Sequence, residues 1–270
     1  MEKKFKEKKQ KEWRVPKRRQ PIFGIFGKIF RPLFKAKVES VIETLPDKAI
    51  IVSIHAAKNG PMAISLNYPK FHCMWGHHDM LGGYITRYKY LRNVLYIQKM
   101  HKGKLSSTIK PIYEAAFSKW IYRGMKVIGT YTDMRFITTI RKSMAVLDEG
   151  ASVVVFPEDS AEGYFDEVRA GFPGFVMLAA AYFSECGEDV PVIPAYISTE
   201  KKRFILGAPK YVHELELSGK SKQDIANELC EDINALYRDY IATDKPLPTI
   251  VKDAPARPRG YYGEKRDDEL

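Results

Sequence analysis

Residues 150–158 read GASVVVFPE, and the fold class is decided there. Gly150 stops a helix, because a residue without Cβ reaches the left-handed conformation that closes a helical C-terminus. The run Ala151–Phe156 is an apolar strand that delivers Pro157 and Glu158 at its carboxyl end. Just upstream, residues 136–149 place Phe136, Ile140, Met144 and Leu147 on one face at helical spacing, and 105–122 also read as helix. Further back, Ala49–Ile54 reads as a buried strand ending where His55 appears. Downstream, 173–185 read as a buried helix, Val190–Ile197 as a strand and Phe204–Leu206 as a short one. Ser221 then caps a last helix with Ile225, Leu229, Ile233, Leu236 and Tyr240 in register. Short apolar runs alternating with longer amphipathic ones make an α/β chain. Ligands of open α/β sheets gather beyond the carboxyl ends of strands, so His55 and Glu158 are expected to face one cleft.

The 270 residues are 45% hydrophobic and 12% aromatic, enough for one large core, which excludes wholesale disorder. A net charge of +11 points to anionic partners: phospholipid headgroups, nucleic acid or phosphorylated substrates. Cys73, Cys186 and Cys230 are far apart with no CxxC spacing, so neither a zinc cage nor a disulfide framework is expected, and a reducing cytosolic setting is. The longest uncharged run, Ala170–Ser184, falls short of a membrane span and contains Gly171, Pro173 and Gly174, so no transmembrane helix is expected. The N-terminus lacks the apolar core and cleavage site of a secretory signal, and Asp267–Leu270 only loosely echo an ER-retention tail.

Residues 1–20 form a basic arm expected to be disordered, with ten Lys and Arg against Glu2, Glu7 and Glu12. In 21–44, Ile22, Phe23, Ile25, Phe26, Ile29, Phe30, Leu33 and Phe34 recur at three- and four-residue steps, with Lys28, Arg31 and Lys35 on other faces. This segment reads as an amphipathic helix lying in the plane of an anionic membrane surface. An ordinary helix packed on the core with a solvated tail is the competing reading. A nucleic-acid arm is disfavoured, since no stacking aromatics interleave the basic run and no nucleic-acid motif follows. The division is thus 1–20 arm, 21–44 interfacial helix, 45–243 α/β domain and 244–270 a tail rich in Pro and charge.

His55 leaves its strand in a turn of Lys58, Asn59, Gly60 and Pro61, which suits a general base; a core histidine satisfied by backbone is the plain alternative. In FHCMWGHHDM, 71–80, His72, His77, His78 and Asp79 invite a metal reading. Adjacent histidines usually point apart and no HExxH occurs, so no metal is expected. With Trp75, Gly76, Gly82, Gly83, Tyr84, Tyr88 and Tyr90, this stretch is expected to line or cover the cleft.

Four blocks occur in order: IHAAKNG at 54–60, GTYTDMR at 129–135, FPEDS at 156–160 and VPVIPA at 190–195. Their order and character resemble the glycerolipid (lysophosphatidic-acid type) acyltransferase superfamily, over residues 45–212. The resemblance implies a central, mostly parallel sheet flanked by helices, with an N-terminal amphipathic membrane-facing helix beside the cleft. It implies a peripheral membrane enzyme on the inner, cytoplasmic face that moves a fatty acyl group from a CoA or acyl-carrier-protein thioester to a lipid-like hydroxyl or amine, without bound cofactor. His55 matches the family's base. The family's Asp five residues on, which orients that His, is replaced by Gly60, and Asp79, Asp159 or a backbone carbonyl are the candidate substitutes. Arg135 matches the Arg that binds the acceptor's phosphate, and Glu158 the Glu of block three. Lys58, Asn59, Asp159 and Ser160 complete the expected substrate-binding set. Asp159 stands where the family has Gly, and Ala161 where it has Arg; a carboxylate gained and a guanidinium lost point away from plain glycerol phosphate or lysophosphatidate as acceptor. A catalytically silent lipid-binding or scaffold protein on the same fold is the alternative from a different class.

Overall fold

The computed structural model describes residues 13–18, 20–56 and 59–247. Its centre is a seven-stranded sheet: β1 (Lys37–Ser40), β2 (Ile50–Ser53), β3 (His72–His77), β4 (Val127–Thr130), β5 (Ser152–Val155), β6 (Val192–Ser198) and β7 (Arg203–Leu206). The spatial order is β1-β7-β6-β2-β5-β3-β4, and only β6 and β7 pair antiparallel. β2 (IIVS) and β5 (SVVV) are buried throughout, as strands covered on both faces must be, and pair in register Ile50↔Val153 and Val52↔Val155. On the other side of β2, Val52 faces Pro194 of β6. The expected mostly parallel sheet flanked by helices is therefore the observed architecture.

The helices are α1 (Pro21–Phe30), α2 (Gly60–Asn67), α3 (Tyr84–Lys89), α4 (Lys104–Gly124), α5 (Phe136–Asp148), α6 (Gly174–Cys186), α7 (Val212–Leu217) and α8 (Lys222–Leu236). A wider helical coil with five-residue hydrogen bonding, Tyr90–Lys99, joins α3 to α4, and Tyr237–Ile241 extends α8. Gly150 closes α5 with φ +68° as its position required. At the start of α8 a reciprocal cap forms: the Asp224 N–H donates to Ser221 Oγ and the Ser221 N–H to Asp224 Oδ2.

Three stretches differ from the sequence-based expectation. The segment 71–80 is no cover over the cleft but touches its edge through His77 and His78: His72–His77 is β3, inserted between β5 and β4, with Cys73 and Met74 buried and Trp75 Nε1 donating to Ser143 Oγ at 2.8 Å. HCMWGH contains no β-branched residue and only Trp75 among the strand-favouring aromatics, so its strand signal is weak. The helix expected over 21–44 ends at Phe30; Pro32 follows, and Lys37–Ser40 is an edge strand, β1, whose buried Glu39 pairs with Arg203 of β7 at 2.7 Å. Its polar sequence, KVES, hid the strand. β4, short and overlapping block two, was likewise unread. Residues 1–12 and 19 of the basic arm, and 248–270 of the tail, lie outside the described residues. Trp13 and Val15 pack against the core.

The N-terminal helix is fixed by a close contact. Phe23 is buried on Gly124 at the end of α4, where an added Cβ would come within 2.1 Å of the Phe23 ring. Gly124→Ala should lever α1 off its seat, costing ~2 kcal/mol by overpacking. Thermal unfolding checks this; the Phe23 Cβ itself would stand 2.3 Å from the added Cβ, so Phe23→Ala/Gly124→Ala should stay destabilised, whereas Phe23→Gly/Gly124→Ala should relieve the clash while losing the packing.

Candidate functional site

The parallel register brings the carboxyl ends of β2, β3, β4 and β5 to one edge of the sheet. His55 lies two residues beyond β2 and Glu158 three beyond β5, so topology alone makes them neighbours. The His55 backbone N–H donates to Glu158 Oε1 at 2.7 Å. The half-buried His55 ring stands between Phe156, at 4.8 Å between centroids, and Tyr164, stacked at 5.1 Å. Ala56, which follows, takes a left-handed backbone at φ +44°.

Glu158 is held on a loop that closes upon itself. Asp159 N–H donates to Ala170 O, and Phe172 N–H to Pro157 O, pairing Glu158 with Gly171 across the loop neck. Gly171 is required there, since a Cβ would sit 2.3 Å from Cys230 Sγ of α8. Burial pushes the Glu158 carboxyl up to about 7, against the opposing pull of the His55 N–H and of Lys99.

Lys99, at the end of the wide coil, was not anticipated. Its ammonium donates to Ser160 Oγ at 2.6 Å and lies 5.7 Å from the Tyr164 ring centre. Burial lowers its pKa, while Glu158 and Asp159 oppose that shift. Only the fold reveals it, because a lysine closing an apolar helical run looks like any solvated helix end. Tyr164 was missed for the same reason, standing in the polar stretch SAEGYF.

Arg135 lies farther along the same edge, beyond β4. Its exposed guanidinium binds Asp133 through Nε and Nη2 at 3.0 and 2.7 Å and rests on the Tyr131 ring at 4.5 Å. Tyr131 stacks on His78, His78 on His77, and His77 on Tyr90, with centroid separations of 4.6, 4.5 and 4.8 Å. Lys99 acts electrostatically on His77. A strip of rings and charges thus runs from His55 through Tyr164 and Lys99 to the histidine pair, and on to Arg135.

The other expected residues distribute around it. Asn59 is exposed just before α2, and Lys58 lies outside the described residues. Ser160 is buried under Lys99. Asp159 is exposed, its Oδ1 accepting from the Ala161 N–H at 3.0 Å. Asp79 lies 3.5 Å from both His77 Nδ1 and His78 Nε2. His77, His78 and Asp79 could each offer one donor atom, all within 4.8 Å of one another. The two imidazoles are stacked with their planes only 29° apart, however, so one ion cannot lie in both ring planes without reorientation.

Gly60 opens α2, and a Cβ on it would meet His55 O at 2.1 Å. This backbone therefore leaves no room for a carboxylate at position 60. Gly60→Asp should not restore an orienting group; it should displace the His55 turn, costing ~2 kcal/mol or more in stability. A thermal midpoint equal to that of the unsubstituted protein would contradict this.

The sequence matches no protein-family model and no curated protein. Among the solved structures similar to this chain is the 1-acyl-sn-glycerophosphate (LPA) acyltransferase PlsC from Thermotoga maritima, 14% identical, covering 84% of this chain and 80% of that one with a TM-score of 0.46. The chemistry of the site is therefore read from its own residues.

Proposed function

We propose that the protein is an acyltransferase that moves a fatty acyl group from a CoA or acyl-carrier-protein thioester to a lipid-like hydroxyl or amine at an anionic membrane surface. The observation that carries this reading is His55 at the sheet edge, bonded through its backbone to a carboxyl poised near neutrality and flanked by a half-buried ammonium. A base, a titrating acid and a desolvated cation side by side make up the apparatus of acyl transfer. In this reading the acceptor O–H gives its proton to the His55 ring as oxygen attacks the thioester carbonyl. Lys99 offsets the negative charge gathering on the carbonyl oxygen, and the departing thiolate takes the proton back from the imidazolium.

Arg135 receives the acceptor's anionic group. Its present partner Asp133 is exposed, and such surface pairs contribute only about 0–1 kcal/mol, so exchange for a substrate anion is inexpensive. Asp159, exposed beside Lys99, disfavours a crowded phosphate and supports an acceptor other than plain glycerol phosphate or lysophosphatidate. The acyl chain has an apolar receptacle at hand: a half-open pocket of about 140 Å³ between α1, α2 and α4, lined by Phe23, Phe26, Phe30, Met62, Leu66 and Ile121. Apolar surface of this kind favours hydrocarbon over water. α2 links it to the site, since its first residue packs against the His55 carbonyl. No cofactor enters the scheme. Among the described residues no helix is long and apolar enough to cross a membrane, and the exposed Ile22, Ile25 and Ile29 of α1 suit peripheral attachment on the inner face.

The tight contact at Gly60 favours a second reading, a catalytically silent lipid-binding protein, because it excludes a carboxylate at that position. Release of free thiol from long-chain acyl-CoA and acyl-carrier-protein donors, with lysophospholipid acceptors in vesicles, separates the two. Time-dependent thiol release with appearance of the acylated acceptor is expected. Vesicle binding with no release from either donor establishes the silent reading instead. Filling the cavity by Ile121→Phe should lower turnover of long-chain donors several-fold more than of short-chain ones, measured as a ratio of kcat/KM values.

A further inference from the structure

Helix α4 is polarised the wrong way for a surface helix. Its buried residues are the small Ser107, Pro111, Ala115, Ser118 and Gly124, joined only in its last turns by half-buried Ile121 and Tyr122 against the core, whereas Leu105, Ile109, Ile112, Phe117 and Trp120 point outward and are 42–75% exposed. An ordinary amphipathic helix buries its large apolar groups and solvates its small polar ones. The inversion is built in. Buried Arg87 of α3 donates to Ala115 O at 3.1–3.2 Å and to Ser118 Oγ at 3.1 Å, so the small-residue side is clamped inward and the helix cannot roll its apolar side under. Tyr84 Oη, donating to Ile112 O, sets α3 alongside and adds the exposed Ile85 to the outward surface.

The charges on this surface say what covers it. Lys104, Lys110, Lys119 and Arg123 are exposed along α4, and the sole acid of the helix, Glu114, accepts from Tyr96 Oη at 2.7 Å. Apolar and aromatic groups flanked by cations, with no exposed acid, complement an anionic interface rather than water. The surface also continues an expected one: α1 lies on the end of α4 through Phe23 and Gly124, and its exposed Ile22, Ile25, Ile29 and Lys28 extend the same chemistry.

We propose that the outward face of α4, with Ile85 of α3, is a docking surface for an anionic lipid bilayer, on which the helix lies in the plane of the headgroups. Leu105 to Trp120 span about 22 Å of helix, long enough to seat several turns among the headgroups. Membrane attachment then rests on two helices of the folded domain rather than on the N-terminal segment alone. The proposal shares with the functional reading the premise that substrate is presented by a membrane, but binding tests it without reference to turnover.

The test is co-sedimentation of the full chain with phosphatidylcholine vesicles, with and without a third of phosphatidylglycerol. Ile109→Glu/Phe117→Glu replaces exposed side chains only, so circular dichroism and thermal midpoint should be unchanged. Binding to the anionic vesicles should weaken by about tenfold or more. Leu217→Glu, at a still more exposed leucine on α7, is the control and should bind as the unsubstituted chain does. Anionic vesicles should also shift tryptophan emission to the blue, and Trp120→Phe should remove most of that shift. Unweakened vesicle binding by Ile109→Glu/Phe117→Glu overturns the proposal. So does an oligomer that this variant dissociates while vesicle binding persists, which would assign the face to a second copy. Loss of vesicle binding together with retained turnover of a short-chain, water-soluble acceptor supports both readings. Loss of vesicle binding in a protein that never turns over thioester leaves the docking surface standing and removes the enzymatic reading.

Discussion

His55→Ala is expected to lower thioester turnover between about a hundred- and ten-thousand-fold while leaving the protein folded. The imidazole is the proposed proton acceptor, and no other described imidazole is bonded through its backbone to Glu158. The ring is half-buried and contributes two aromatic contacts, with Phe156 and Tyr164, so its removal should cost only ~1 kcal/mol of stability. The backbone bond from residue 55 to Glu158 is open to any residue but proline, which keeps the neighbouring carboxyl in place in the alanine variant. That separation makes the variant informative. A large fall in kcat with little change in thermal midpoint identifies a group acting on the reacting atoms. His55→Ala retaining more than a tenth of the original turnover excludes the imidazole from the base role. Tyr164→Phe keeps the stacked ring and should cost far less, which distinguishes loss of the base from general disturbance of its pocket.

The sequence disclosed what depends on local pattern and concealed what depends on topology. β2, β5 and β6 were legible because strands buried on both faces must be continuously apolar, and α5 and α8 because their apolar residues recur at helical spacing. β3 was not, since HCMWGH owes its place to packing between β5 and β4 and not to propensity. Reading it only as a stretch that lines or covers the cleft left the histidine pair's setting at the end of β3 unseen. His55 and Glu158 were placed together correctly in outline, because both follow strands that end at the same sheet edge. Lys99 and Tyr164 could not be found that way: each reaches the site from a coil or loop, and nothing local distinguishes them from solvated residues. Gly60 carries the sharpest lesson. Its identity in the sequence registers only as a missing carboxylate, whereas its 2.1 Å approach to the His55 carbonyl makes the glycine a steric requirement of the turn that presents the base.

Glu158→Gln should stabilise the protein at alkaline pH and impair it as an enzyme. The carboxyl's ordinary value of 4.5 is raised to about 7 in the folded chain, chiefly by burial. The folded state therefore holds this proton more tightly than the unfolded one. Stability from this group is fully present below about 4.5 and is lost as pH rises through about 7. The difference of 7 and 4.5 corresponds to a loss on the order of 3 kcal/mol once the group is ionised in both states. Glutamine never ionises, yet its Oε1 can accept the His55 N–H as the carboxylate does. At pH 8 the variant should be more stable by up to ~3 kcal/mol, several degrees in thermal midpoint, and near pH 4.5 the two should coincide. Turnover should nonetheless fall at least about tenfold, because the charge that balances Lys99 beside the reacting centre is gone. A site that stores instability in an ionised, half-buried carboxylate and gives it up on neutralisation is one where stability has been traded for chemistry. A thermal midpoint for the unsubstituted protein that stays flat from pH 5 to 8, or a variant less stable than it at pH 8, would refute the assignment of that strain to Glu158.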